Sequence, residues 1–262
     1  MKSKYKYFVI SDIHGFYDEA IKALNEKGYD SNNENHMLLV LGDIFDRGKK
    51  SLEVYNWLKS LTDEGKAIIL KGNHDDFLIK FLTDYNLPEN QFNYYHNGLE
   101  STIKSFLKTK DGFREYLKIK EKENIKVDRY TAFKAWNSLA KDIINKKYPY
   151  LLLWMGSFKY YYETDHYIFT HASLDTEAEN FKKPKRSFND LLWDSGDFFG
   201  KDLKYINKTV VVGHFSTSDV RKMYGLKNSN SHDILVREDK KIIMIDGTVA
   251  NSKQINVLVI ED

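Results

Sequence analysis

Tyr7-Phe8-Val9-Ile10-Ser11-Asp12-Ile13-His14-Gly15 decides how this chain is read. Its apolar run is too short for a helix face and reads as a buried strand that passes directly into an Asp-x-His pair. The arrangement recurs twice. Met37 to Leu41 leads into Gly42-Asp43-Ile44-Phe45-Asp46-Arg47-Gly48, and Ala67 to Leu70 leads into Lys71-Gly72-Asn73-His74-Asp75. Between these strands, Tyr17 to Leu24, ending near Gly28, and Leu52 to Leu61 carry apolar residues at helical spacing. The alternation predicts an α/β fold with at least partly parallel strand pairing. Residues two apart in an extended segment share a face, so Asp12 and His14 are expected to point the same way, as two ligands of one metal would.

Further along, between about Asp75 and Tyr150, the pattern turns helical. Ala132, Phe133, Ala135, Trp136, Leu139, Ala140, Ile143 and Ile144 mark one wide apolar face. This region reads as a helical insert of about residues 75–150, with the charged run Lys118 to Lys126 as a solvated face. After Pro149, strand-like runs return at Tyr167 to Phe169, Thr209 to Val212, Ile234 to Val236, Ile242 to Ile245 and Ile255 to Ile260, which predicts a C-terminal third made mostly of sheet. Internal repeats are absent from the sequence, and three prolines in the whole chain argue against a string of linked modules. One domain, residues 1–262, is expected.

Composition narrows the chemistry. A chain of 262 residues with 42% hydrophobic and 15% aromatic residues can bury one large core. Lys and Arg number 40 against 38 Asp and Glu, with opposite charges interspersed, so no specific nucleic-acid binding is expected. The absence of cysteine excludes disulfides, thiolate metal sites and thiol nucleophiles, and any metal must take nitrogen and oxygen ligands. No apolar run approaches membrane-spanning length, and the N-terminal apolar segment is too short for a signal peptide, so a cytoplasmic protein is expected.

Three strands thus deliver polar residues at their C-terminal ends, the edge where α/β sheets usually bind ligands. Two later runs repeat the device, ending in Thr170-His171-Ala172 and Val212-Gly213-His214. Singly, Asp12 or Asp46 could cap a helix, and His171 or His214 could be a satisfied core histidine. Jointly, and in this order, they form a specific signature.

The motifs, from Asp12 to His214, resemble those of the calcineurin-like metallophosphoesterases, specifically the phosphoprotein phosphatase branch. Asn97-Gly98-Leu99-Glu100-Ser101-Thr102-Ile103 and Leu191-Leu192-Trp193 are similar to further segments of that family. The resemblance implies a four-layer αββα sandwich, two mixed sheets flanked by helices, with the helical insert forming part of the cleft wall. It implies two divalent metals, with Asp12 and His14 on the first, Asp43 bridging, and Asn73, His171 and His214 completing the second. The implied reaction is hydrolysis of a phosphate ester by in-line attack of a hydroxide bridging the metals. His74 would then be the general acid, Asp46 its orienting carboxylate, and Arg47 and Asn73 contacts to the phosphoryl group.

The sequence departs from the family pattern at Ser11, Asp75 and Leu99, none of them an implied metal ligand. A second phosphate-binding arginine is matched by Arg186 on interval alone, with Lys183 and Lys185 as competitors. His36, His96, His166 and His232 read as structural, and Trp57 and Trp136 as core. The expected substrate is a phosphoprotein, as for a serine/threonine-type protein phosphatase, with a dinucleoside polyphosphate as the alternative. A noncatalytic phosphate-binding module and a nuclease rank below these. The His74-Asp75 pair also suggests helical HD phosphohydrolases, but the strand before it argues against them. Mixed N/O ligation suits manganese, iron, zinc or nickel, with manganese expected.

Overall fold

The computed structural model describes residues 5–83, 88–194 and 196–262. The first third alternates as the sequence predicts: β1 (Lys6–Ile10), α1 (Tyr17–Glu26), β2 (His36–Val40), α2 (Ser51–Asp63) and β3 (Ala67–Ile69). Helices follow: α3 (Asn73–Thr83), α4 (Pro88–His96), α5 (Leu99–Leu107), α6 (Phe113–Lys122), α7 (Arg129–Lys147) and α8 (Leu151–Gly156). The remainder comprises β4 (Tyr161–Glu163), β5 (Tyr167–Thr170), α9 (Phe188–Leu191), a short 3-10 helix (Gly196–Gly200) and β6 (Thr209–Val212). It ends with α10 (Thr217–Met223), β7 (Leu235–Val236), β8 (Ile242–Met244), α11 (Val249–Ser252) and β9 (Leu258–Glu261).

Two mixed sheets result. The first has the order β3-β2-β1-β9 and the second β4-β5-β6-β8-β7. In the first, β1 lies parallel to β2 with Lys6 opposite His36, β2 parallel to β3, and β9 returns antiparallel beside β1. In the second, β5, β6 and β8 are parallel and the edges β4 and β7 are antiparallel.

Side-chain alternation explains the layering. Tyr7, Val9, Leu39, Phe169 and Val211 join one buried cluster with contributions from both sheets, so this cluster fills the space between them. Their neighbours Phe8, Ile10, Leu38 and Val40 face a second cluster shared with α1, α2 and the helical region. Ile168, Val210, Val212, Ile242 and Met244 face a third, with Phe198, Phe199 and Val220. Strands apolar on both faces are those covered on both sides, which gives helix, sheet, sheet, helix. Among the described residues no helix is long and apolar enough to cross a membrane.

Several expectations need correcting. The helical region begins at Asn73, so Asn73 and His74 stand on the first turn of α3. On α7, Asp128 caps the N-terminus by accepting from the Thr131 amide at 3.0 Å, but the apolar face is narrower than predicted. Ala132, Phe133, Trp136, Ala140 and Ile144 are buried, whereas Ala135, Leu139 and Ile143 are exposed, because α3, α5 and α6 cover only one side of this helix. Of Ile255 to Ile260 only Leu258 onward is strand, while the edge strand β4 gave no apolar signal and was not predicted. The C-terminal third is accordingly more loop and short helix than sheet.

Candidate active site

The carboxyl ends of β1, β2, β3, β5, β6 and β8 converge on one edge, where each strand passes into a loop carrying polar side chains. Asp12 and His14 do not continue β1 as an extended pair: their φ values are 52° and 48°, the left-handed region. Asp43, Asp46, Arg47 and His214 share this conformation. Each such residue costs roughly 1 kcal/mol or more and persists only where surrounding bonds over-determine it. Here the first two loops are laced together: the amides of Asp12, His14 and Gly15 donate to the carbonyls of Gly42, Asp43 and Ile44 at 3.1, 2.9 and 2.9 Å. A Cβ on Gly72 would stand 2.1 Å from Oδ1 of Asp43, so glycine lets the third loop reach the second.

The imidazoles are held in defined tautomers. Nδ1 of His14 donates to the Phe45 carbonyl at 2.8 Å, and Nδ1 of His171 donates to the Leu41 carbonyl at 2.7 Å. Burial pushes both rings below their ordinary pKa, and His214 down to about 4, so all three stand as neutral imidazoles, the form that ligates metals. The lone pair at Nε2 of His14 therefore faces carboxylate oxygens of Asp12 and Asp43 at 3.9 and 3.8 Å. Nε2 of His171 faces Oδ1 of Asn73 at 2.9 Å and Oδ1 of Asp43 at 3.4 Å.

Although the His74 amide donates to Oδ1 of Asp43 at 2.9 Å, imidazole lone pairs facing carboxylate and carboxamide oxygens in a buried site fit a cation. Among the described residues two groups have spacing that could hold a metal: His14, Asp43 and His74, and Asp43, His171 and His214, though both ring nitrogens of His74 are already engaged, by Asp46 and Arg47. Asp43 belongs to both. Burial pushes its carboxyl up, but the surrounding imidazoles of His171, His74, His14 and His214, wherever they carry charge, outweigh this and hold it well below the usual carboxylate range. Asp12 goes the other way: burial, then the charges of Asp246 and Asp43, raise it, while Oδ2 accepts from the His214 amide at 2.9 Å.

Beside these groups lies a second assembly. Nδ1 of His74 is 2.8 Å from Oδ2 of Asp46, and Nη2 of Arg47 donates to Nε2 of His74 at 3.1 Å. Burial depresses the His74 imidazole, yet Asp43 and Asp46 together leave it above its ordinary value, against the opposing charge of Arg47. Asp46 is in turn held by Thr102, whose hydroxyl donates to Oδ1 at 2.8 Å and accepts the Asp46 amide at 2.7 Å. Arg47 is exposed, and its amide donates to the Gly98 carbonyl at 3.2 Å, so the helical region does border the site.

Asp12, His14, Asp43, Asp46, Arg47, Asn73, His74, His171 and His214 thus come together. Arg186 is engaged elsewhere: its guanidinium makes a two-pronged contact with Asp194 at 2.8 and 2.6 Å. Asp194 in turn accepts from Ser173, two residues beyond His171. His36, His96, His166 and His232 lie outside the cluster; His166 pairs with Asp262.

Two buried carboxylates were missed. Asp75 accepts the amides of Gly72, Asp43 and Ile44 at 2.9, 3.0 and 3.1 Å, tying the second and third loops, and burial and Asp43 push it up to about 8. Asp246 follows β8, and burial pushes it up to about 6. The signal was present, since Ile242 to Ile245 is an apolar run ending in an acid like the others.

A family model described as calcineurin-like phosphoesterase matches residues 5–245. Among curated proteins, the asymmetrical bis(5'-nucleosyl)-tetraphosphatase PrpE of Bacillus velezensis is 37% identical over 82 residues, covering 29% of this chain and 33% of that protein. The chain therefore matches about a third of the length of this relative. A solved structure provisionally described as a diadenosine tetraphosphatase superposes with TM-score 0.57 at 13% identity, covering 99% of this chain and 94% of that one. The cold-active protein-tyrosine phosphatase of a psychrophilic Shewanella species superposes with TM-score 0.53 at 18% identity, covering 100% and 78%. At these identities the structures share the fold.

Proposed function

The chain belongs to the calcineurin-like phosphoesterase family, and from that premise we propose that it is a two-metal phosphohydrolase in which Asp43 would be a ligand common to both sites. The observation that carries this reading is the position of Asp43, whose carboxylate faces His14 at 3.8 Å through one oxygen and His171 at 3.4 Å through the other. His14, with Asp12 beside it, would hold one cation; Asn73, His171 and His214 would hold the other. Bound there, divalent cations supply Lewis acidity that activates water toward phosphorus. Manganese is the expected metal, with iron, zinc and nickel compatible with the same donors.

The chain's own residues supply the rest. Arg47, exposed at the mouth, offers its planar fork to the phosphoryl oxygens. Its departure from Nε2 of His74 toward phosphate removes the charge that opposes protonation, leaving Asp46 to hold the imidazolium. His74 then donates the Nε2 proton to the departing oxygen. Asn73 borders the same space. Arg186, bound to Asp194, would have to exchange partners before it could contribute.

On substrate, the parts described contact only phosphate. The names of curated relatives support a dinucleoside polyphosphate over the phosphoprotein first expected. A panel of p-nitrophenyl phosphate, diadenosine tetraphosphate and a phosphothreonine peptide, assayed with manganese, tests both levels. Failure on all three sinks the phosphohydrolase reading, and turnover of the peptide alone restores the phosphoprotein.

A further inference from the structure

Total charge on this chain is nearly balanced, 40 basic against 38 acidic residues, but the surface next to Arg47 is not. A hollow of about 390 Å³ opens there, bounded by Arg47, Lys49, Lys50, Lys253 and Phe16, and the acidic residues among those lining it are Asp18 and Glu19. Lys50 is neutralised by Asp18 at 2.5 Å. Lys49 and Lys253 are exposed and have no carboxylate partner among the described residues. Lys253 stands with Nζ over the face of the half-buried Phe16 ring, 4.3 Å from its centroid, so a base takes that face only as the ammonium moves off it onto phosphate. Lys49 also lines a second hollow of about 760 Å³ with Lys104, Lys108 and Lys110, where Lys104 is paired with Glu100 and Glu53 is the acidic neighbour.

A single phosphoryl group needs no more cation than the metals and Arg47 provide. Further lysines lining the same hollow as Arg47 instead match a chain of phosphates continuing beyond the reacting one. The first hollow lies within the range of roughly 300–1,000 Å³ common for small-molecule sites. Its aromatic wall suits a base as its lysines suit phosphate, whereas an acidic peptide would use only the lysines. We propose that the hollow bounded by Arg47, Lys49, Lys253 and Phe16 seats the remainder of a nucleoside polyphosphate, its phosphates on the two lysines and its base against Phe16. This rests on the phosphohydrolase reading and assigns its substrate class to particular side chains.

The test compares the manganese-loaded wild type with the K49A/K253A double variant and with F16L. The double variant should lose roughly tenfold in kcat/KM for diadenosine tetraphosphate, mainly through KM, while p-nitrophenyl phosphate turnover stays within about twofold. Inorganic tripolyphosphate, titrated by calorimetry, should bind the double variant roughly tenfold more weakly and bind F16L as it binds wild type. F16L should weaken only the dinucleotide. Equal losses on both substrates, or unchanged tripolyphosphate binding in the double variant, would overturn the assignment. A loss confined to an acidic phosphopeptide would give the hollow to peptide instead. A wild type that turns over no ester would refute the phosphohydrolase reading, and the calorimetric arm would still decide whether the hollow holds polyphosphate.

Discussion

Asp46 reaches His74 from behind, Oδ2 to Nδ1 at 2.8 Å, while its other oxygen is taken by Thr102 at 2.8 Å. A fully buried carboxylate fixed at both oxygens can orient an imidazole and favour its charged form without entering the reaction space. Removing that charge should matter most when the leaving group is poor. Asp46→Asn is expected to lower kcat for an alkyl phosphate by about a hundredfold, and much less for p-nitrophenyl phosphate, whose phenolate departs without a proton. Equal losses on the two substrates would assign Asp46 a purely structural part.

Asp43 and His74 sit about equally deep, and their replacement should separate metal holding from proton delivery. Asp43→Asn removes the one carboxylate common to both donor groups. It should reduce bound manganese after dialysis to less than about half of wild type, since both sites lose the shared carboxylate and Asp12 alone remains as an anionic donor. His74→Asn should keep both metals and lose turnover. Metal analysis of the two dialysed proteins decides: full metal in Asp43→Asn contradicts the shared-ligand arrangement.

Much of this site was legible because each strand announces itself as an apolar run and ends in the residue that matters. Asp12, Asp43, Asn73, His171 and His214 follow strands at positions that sequence alone marks. The conformation of the ends was not legible: left-handed backbone at Asp12 and His14 arises from amides donated across to Gly42 and Asp43, contacts thirty residues away in the chain. Asp75 looked like a mere departure from the family pattern, since nothing local tells that its carboxylate collects three amides from two loops. Leu139 and Ile143 misled for the opposite reason, as helical periodicity records what a face could bury and not how many neighbours arrive to cover it.

Gly98 makes a local test of how Arg47 is held. With φ at 88°, the glycine occupies backbone that a side chain adopts only under strain, and a Cβ there would stand 2.5 Å from the Arg47 amide nitrogen. Gly98→Ala should therefore lower Tm by about 5 °C. It should also raise KM for any phosphate ester, because the displaced backbone carries the Arg47 guanidinium with it. Thermal unfolding and steady-state kinetics on the one variant suffice; an unchanged KM would separate Arg47 from its contact with the helical region.

The edge of the second sheet offers a stability test independent of the metals. Glu163, on strand β4, accepts from Lys182 at 2.5 Å and Lys208 at 2.9 Å, and these two bonds hold its carboxyl below the ordinary glutamate range. A depressed folded value means the unfolded chain binds the proton more readily, so the pair stabilises the fold above the unfolded pKa, near 4.3, and loses its effect as pH falls through the folded value. The pair is partly exposed, which limits the gain to about 1 kcal/mol or less. Glu163→Gln should accordingly unfold at lower denaturant than wild type at pH 7, and the gap should close as pH falls below about 4. Raising the salt concentration at pH 7 should narrow the same gap, because screening weakens the ion pair and leaves the packing of β4 untouched. A difference that persists undiminished at low pH would mean that Glu163 acts through packing, not charge.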